Sequence, residues 1–185
     1  MASHLPPNPN AGLEFDEAQL REICLAGGCF WGTEAFIERV YGVHSAKVGY
    51  ANGDAEQPSY KDVCTGQTGY AEAVLVRYDI QRLSLEHLLD AFFSTIDPTS
   101  LNKQGGDIGT QYRTGIYYLN PEDKLAAQAF VAAKAGAFAK PIVTEVLPLE
   151  KFFPAEEYHQ KYLEKNPAGY CHVDLGLCSQ WAGAF

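Results

Sequence analysis

The sequence predicts an α+β fold, a two-layer α/β sandwich around a mixed β-sheet with a long C-terminal coil. Three observations carry this prediction. Apolar runs of strand length interleave with segments of helical spacing along most of the 185 residues. The strand-like runs at residues 43–51 and 71–78 have no helical pattern between them, so the sheet is not built from βαβ units alone. Residues 166–185 carry Pro, Gly and two cysteines with little periodicity, which suits a coil lying over the surface. A chain of this length that is 46% hydrophobic buries a substantial core and reads as a single domain over residues 1–185.

In chain order, residues 1–18 form a polar leader containing Pro and Asn, expected to be flexible or draped. Residues 23–26 read as a strand, and residues 33–40 as a helix with Phe36, Ile37 and Val40 on one face. The strand at 43–51 ends at the turn signal Asn52-Gly53-Asp54, and residues 56–60 read as loop. After the strand at 71–78, Ser84 opens a helix to residue 95 whose apolar face is Leu85, Leu88, Leu89, Phe92 and Phe93. Residues 97–113 are long, Gly-rich and polar, the profile of a functional loop rather than a connector. A strand at 114–119 leads to Asn120 as cap and Pro121 at the first position of an Ala-rich helix. A strand at 142–147 and a helix at 154–164 precede the coil.

The formal charge of −9 argues against nucleic-acid binding and against an anionic membrane surface. No apolar run is long enough to span a bilayer, and residues 1–10 lack the pattern of a secretory signal, so a cytoplasmic location is expected. The five cysteines, Cys24, Cys29, Cys64, Cys171 and Cys178, are odd in number and widely spaced. They match neither a disulfide framework nor a zinc site, and no metal or other cofactor is expected.

Gly27-Gly28-Cys29-Phe30-Trp31-Gly32 stands between the first strand and the first helix. Free amides and the positive dipole end at a helix start favour an anion, which biases a thiol there toward thiolate. A buried cysteine in a glycine turn is the competing reading, since free Cys is often a small hydrophobe. The paired glycines and the two aromatics that follow favour the reactive one.

The motifs then accumulate. They include Val48-Gly49-Tyr50-Ala51, Tyr60-Lys61-Asp62-Val63-Cys64-Thr65-Gly66 and Thr68-Gly69-Tyr70-Ala71-Glu72. They continue with Asp97-Pro98-Thr99, Asp107-Ile108-Gly109-Thr110-Gln111-Tyr112-Arg113, Glu156-Glu157-Tyr158-His159-Gln160 and Asn166-Pro167-Ala168-Gly169-Tyr170-Cys171. Together with the Cys29 stretch they resemble the A-type peptide methionine sulfoxide reductases over residues 20–172. The resemblance implies reduction of methionine S-sulfoxide, free or in proteins, with thioredoxin as reductant and the enzyme as a monomer. It implies Cys29 as nucleophile, and Glu72, Tyr60 and Tyr112 around the sulfoxide oxygen. Asp107 is implied as a further polar residue, Phe30 and Trp31 as the seat of the substrate methyl, and Cys171 as the resolving thiol. Cys178 stands where some members carry a second recycling cysteine, in a tail that otherwise differs. Tyr70 departs from the His common in the family, Lys103 from Arg, Gly106 from Asn, and Asn52 from Gly.

The chemistry asks for these residue types. Reducing a sulfoxide needs a sulfur nucleophile and a proton for the departing oxygen. A carboxylic acid kept neutral by burial can give that proton. On the residues alone, Glu72 reads equally as a solvated carboxylate at a strand end; the resemblance assigns it as the acid. Cys24 and Cys64 read as inert core thiols, and His44, His87, His159 and His172 as structural or surface residues. Two rivals remain at this point: a cysteine hydrolase, and a thiol redox sensor in which Cys29 and Cys171 pair.

Overall fold

The computed structural model describes residues 5–184; the first four leader residues and Phe185 lie outside the described residues. The strands are β1 (Leu20–Gly27), β2 (Val43–Ala51), β3 (Ala71–Asp79), β4 (Lys103–Gln104), β5 (Asp107–Ile108), β6 (Thr114–Tyr118), β7 (Glu145–Pro148) and β8 (Phe152–Pro154). The helices are α1 (Phe30–Ile37), α2 (Tyr60–Cys64), α3 (Leu85–Phe93), α4 (Pro121–Lys134) and α5 (Tyr162–Lys165). Six strands form one open sheet in the order β7-β6-β1-β3-β2-β8, and β4 and β5 form a separate hairpin. Every neighbouring pair in the large sheet is antiparallel except β6 and β7, which are parallel. That exception follows from α4, because a parallel pair needs a crossover and α4 supplies it. The sheet is therefore mixed and the fold α+β, as the sequence predicts.

Strand alternation sorts side chains to two faces. Ile23, Leu25, Val48, Tyr50, Val74, Val76 and Ile116 meet Phe36 and Ile37 of α1 and Leu88, Leu89 and Phe92 of α3 in the main core. Cys24, Ala26, Ala51, Ala71, Ala73 and Tyr117 point the other way, into a smaller cluster covered by Leu149 and Phe152. Among the described residues, no helix is long and apolar enough to cross a membrane.

Several local expectations are corrected. Residues 60–64, read as loop and turn, form α2. Ser59 and Asp62 make a reciprocal capping box there, a short polar signal with no apolar periodicity to announce it. The predicted continuous helix at 154–164 is broken into β8, a 3-10 turn at Glu157–His159, and α5. Tertiary bonds break it: the Gln160 side chain is held by Val48, and the backbone N–H of Lys161 donates to both Glu34 carboxylate oxygens at 3.1 and 3.0 Å. Lys161 accordingly takes a left-handed conformation, φ 54°. Asn120 precedes α4 as predicted but makes no side-chain cap bond, while Pro121 does occupy the first turn. The leader, expected to be flexible, is tied down over its described residues. Asn10 donates to Glu38 O and Val40 O at 3.0 and 2.9 Å and accepts from Gly42 N at 2.8 Å.

Candidate active site

Both glycines before Cys29 are required by space. A Cβ on Gly27 would stand 2.7 Å from the Phe92 ring, and one on Gly28 2.7 Å from Gln104 Cβ. Gly28 also has φ +84°, a conformation that suits glycine. The turn places Cys29 at the N-cap of α1, 6% exposed. Thr33 Oγ1 steadies the turn through the carbonyls of Gly27 and Cys29, each at 3.4 Å.

Glu72 meets this turn from β3. Alternation puts it on the same face as Val74 and Val76, and it is 1% exposed. Its Oε2 accepts from the backbone N–H of Phe30 at 3.1 Å, one residue beyond Cys29. Burial pushes its carboxyl up to about 8, with Asp107 adding and the Phe30 amide opposing. Glu72 is thus mostly protonated at pH 7. The solvated reading of Glu72 is excluded by its burial.

The Cys29 thiol does not show the expected bias toward thiolate. Burial first, then the Glu72 charge, raises its pKa well above the ordinary thiol range, and the Trp31 backbone N–H opposes only in part. Desolvation outweighs the helix start because the thiol is enclosed.

Tyr60 and Tyr112 reach the same centre from different elements. Tyr60 is the first residue of α2, and its backbone N–H donates to Glu156 Oε2 at 3.2 Å. Its hydroxyl hydrogen-bonds with the Cys64 thiol. Tyr112 closes a 3-10 turn, Thr110–Tyr112, after the β4–β5 hairpin. Burial, reinforced by the Glu72 charge, raises both phenols, so both remain neutral donors. Asp107 sits on β5 opposite Gln104, with Oδ2 buried and without a hydrogen-bond partner; the Tyr170 hydroxyl lies over the hairpin, 3.8 Å from where a Cβ on Gly105 or Gly106 would stand. Gln104 organises the long loop by exchanging two bonds with the Asp97 backbone, at 2.9 and 2.7 Å.

Phe30 and Trp31 differ in access. Phe30 is 1% exposed and packs against Tyr50 and His159, whereas Trp31 keeps part of its surface open. Trp31 stacks on Tyr162 at 3.7 Å, and its Nε1 donates to His159 Nδ1 at 3.0 Å. His159, given no role from the sequence, is 1% exposed and joins Phe30, Trp31 and Tyr60 in one aromatic cluster. Burial lowers its pKa, so the ring is a neutral acceptor for Trp31. Its membership of the Glu156–Gln160 motif was the available signal. Glu156 belongs to the same frame, accepting from the Tyr50 hydroxyl at 2.8 Å.

The C-terminal coil is already folded back. Cys171 lies on α1, where a Cβ on Gly32 would come within 3.0 Å of its Sγ, and its thiol donates to Val173 O at 3.3 Å. His172 Nε2 lies 3.0 Å from Gly27 O. Cys178 is buried in a 3-10 turn (Leu175–Gln180) and lines a cleft with Pro6, Pro7 and Pro9; burial pushes its thiol up to about 11. Cys24 is core, as expected, but Cys64 is exposed at the end of α2, which corrects its reading as a core thiol. Tyr70 is also buried away from solvent, its hydroxyl on Ala55 O, so this departure from the family pattern is a packing change. Among the described residues no group of three or more His, Cys, Asp or Glu is arranged to hold a metal ion.

The comparisons with known proteins agree with this arrangement. The family model for peptide methionine sulfoxide reductase matches residues 21–182. The peptide methionine sulfoxide reductase MsrA of Clostridium botulinum (strain Okra) is 57% identical over 156 residues, covering 84% of this chain and 99% of the relative. The crystal structure of Mxr1 from Saccharomyces cerevisiae in reduced form superposes with a TM-score of 0.82 at 39% identity, covering 88% of this chain and 96% of that one. Mxr1 in complex with Trx2 superposes with a TM-score of 0.58 at 27% identity, over 82% of this chain and 90% of that one. A thiol at a helix start beside a protonated buried carboxyl, with a second thiol folded back onto the same helix, is what sulfoxide reduction needs, and with these matches the chain belongs to the peptide methionine sulfoxide reductase family.

Proposed function

We propose that this methionine sulfoxide reductase acts on the S epimer, free or in proteins, with Cys29 as nucleophile and Glu72 as proton donor. The observation that carries the assignment is the Glu72 carboxyl, buried on the Phe30 amide next to Cys29 and pushed up to about 8. Trp31 offers the open wall for the substrate methyl, with Phe30 behind it. Tyr60 and Tyr112 donate to the sulfoxide oxygen as neutral phenols, and Asp107 adds a further polar group from the hairpin side of the site.

In the first half-reaction the Cys29 sulfur attacks the sulfoxide sulfur while Glu72 protonates the oxygen. Attack forms a bond between the Cys29 and substrate sulfurs. The protonated oxygen then passes to Cys29 as that bond breaks, the thiol proton replaces the one Glu72 gave, and the products are methionine and a Cys29 sulfenic acid. Protonated Glu72 is suited to this twice over. It has the proton to give, and in its neutral form it no longer repels a thiolate at Cys29. In the second half-reaction Cys171 attacks the sulfenic sulfur, the S–O bond breaks, and the oxygen leaves as water. Cys178 is a further exchange partner for the resulting disulfide once the turn at Leu175–Gln180 opens. Thioredoxin then returns the enzyme to its thiol form; the Trx2 complex of Mxr1 supports this partner. We place the enzyme in the cytoplasm as a monomer of one catalytic domain, since a cycling cysteine pair suits a reducing compartment.

Single-turnover reduction of the separated S and R epimers, with thiols counted and disulfide peptides mapped, tests the assignment. Reduction of the S epimer alone, loss of two thiols and recovery of a Cys29–Cys171 peptide are expected. A Cys171–Cys178 peptide recovered at longer times identifies the Cys178 exchange. Full activity in Cys29→Ser, or equal reduction of both epimers, would refute it.

A further inference from the structure

His172 follows the resolving thiol directly, and its ring reaches back to the turn that carries the nucleophile. Nε2 lies 3.0 Å from Gly27 O. A carbonyl only accepts, so Nε2 carries the hydrogen and donates, leaving Nδ1 as the bare nitrogen. Nδ1 is buried and makes no hydrogen bond. The bond therefore joins a residue two before Cys29 to a residue one after Cys171.

The seat for this pair is hollowed out by glycines. A Cβ on Gly28 would stand 3.2 Å from His172 Nε2, one on Gly105 3.3 Å from His172 Cβ, and one on Gly32 3.0 Å from Cys171 Sγ. The absent side chains leave room for the ring over the turn and for the thiol on the first turn of α1. The rest of the coil from Asn166 to Asp174 has little regular structure, so its ordering depends on such single anchors. Tyr170, on the other side of Cys171, lies over the hairpin at Gly105 and Gly106 rather than on the Cys29 turn.

We propose that His172 is a positioning residue for the second half-reaction: by donating to the Gly27 carbonyl it fixes Cys171 beside Cys29, so that the disulfide forms as soon as the sulfenic acid appears. The inference rests on Cys171 as the resolving thiol. The covalent step is unchanged: the Cys171 sulfur forms the S–S bond, the Cys29 S–O bond breaks, and the Cys171 proton and the hydroxyl leave as water. His172 contributes geometry, raising the effective concentration of one thiol at the other sulfur.

The test compares His172→Ala and His172→Gln with the parent enzyme and with Cys171→Ser. Methionine release, disulfide formation, and sulfenic acid captured by a 1,3-diketone probe are followed in the same single turnover. In His172→Ala, methionine release stays within about twofold of the parent while disulfide formation slows by about tenfold or more and captured sulfenic acid rises. Unchanged methionine release also reports that the variant is folded. His172→Gln, whose amide nitrogen reaches the Nε2 position and can still donate to the Gly27 carbonyl, recovers part of the rate. Parental disulfide formation in His172→Ala, with Cys171→Ser blocked, overturns the inference alone. No recovery in His172→Gln overturns it as well, because anchoring would then not be the ring's contribution. Two thiols lost in Cys171→Ser would overturn the resolving assignment and this inference with it.

Discussion

Glu72 and Cys29 oppose each other's ionisation. Each is enclosed, and an ionised Glu72 raises the thiol further. With Glu72 as the proposed proton donor, the active form is the protonated carboxyl, whose population falls as pH rises through about 8. The single-turnover rate of methionine release should hold level below that pH and decline above it. Glu72→Gln should lower the rate by about 10²–10⁴-fold and abolish that decline, measured by quenched-flow across pH 6 to 9, a window set by the raised carboxyl. Stability runs the same way. The folded-state pKa lies above the unfolded value, so the folded protein holds a proton that the unfolded chain has lost, and stability falls as pH rises from the ordinary carboxyl range through about 8. Glu72→Gln should remove this slope, raising the melting temperature at alkaline pH while lowering activity. The burial behind all of this was open to sequence reasoning: period-2 spacing puts Glu72 in line with Val74 and Val76. What spacing could not supply is the Phe30 amide beside it, which comes from another element.

At the scale of elements, α1 holds the site's aromatic wall through its acidic face. Glu34 is buried, its pKa pushed up to about 7 by burial, and its carboxylate fixes Lys161, the residue before α5. The same corner carries His159 and Tyr162, which contact Trp31. Glu34→Ala removes the acceptor for a backbone N–H held in a left-handed conformation. It should cost about 1–3 kcal/mol in urea unfolding and raise the KM for sulfoxide, while Glu34→Gln, which keeps an acceptor oxygen, should cost clearly less. This corner explains why the helix predicted at 154–164 is absent. Its residues have helical character, but Glu34, Val48 and Ala155 claim Lys161 and Gln160 for tertiary bonds. Asn52 shows the reverse, a departure from the family's glycine that its neighbourhood accommodates. Its φ is 54°, which Asn tolerates, and its side chain accepts from Glu150 N at 2.8 Å and donates to Pro148 O at 2.9 Å.

At the scale of the whole molecule, the leader closes the end of α1 opposite the active site. Asn10 satisfies the carbonyls of Glu38 and Val40 and the amide of Gly42, groups left over where the helix stops. Arg39 reinforces the contact by donating to Pro6 O at 2.6 Å. Asn10→Ala leaves the Glu38 carbonyl and the Gly42 amide without this partner, while Val40 O keeps its bond from Val43 N, and should destabilise the protein by about 1–3 kcal/mol, seen as a lower urea midpoint with an unchanged slope. Single-turnover chemistry should stay intact, since Cys29 and Glu72 sit at the other end of the helix. The leader precedes residue 21, where the family match begins, so only the structure shows that it is part of the fold.

The sequence by itself determined five of the six strands of the large sheet, the position of Cys29 between strand and helix, and the family. These rest on local signals: apolar period, glycine punctuation and contiguous motifs. Tertiary structure decided what those signals do together. It turned the helix start from a source of thiolate into an enclosed thiol, because desolvation depends on every element packed around a group and not on its own helix. It buried the Glu72 carboxyl on the Phe30 amide, brought His159 and Tyr60 together from opposite halves of the chain, and laid Cys171 and His172 on a seat of glycines drawn from distant segments. Contacts between residues far apart in sequence leave no periodicity for a linear reading to find.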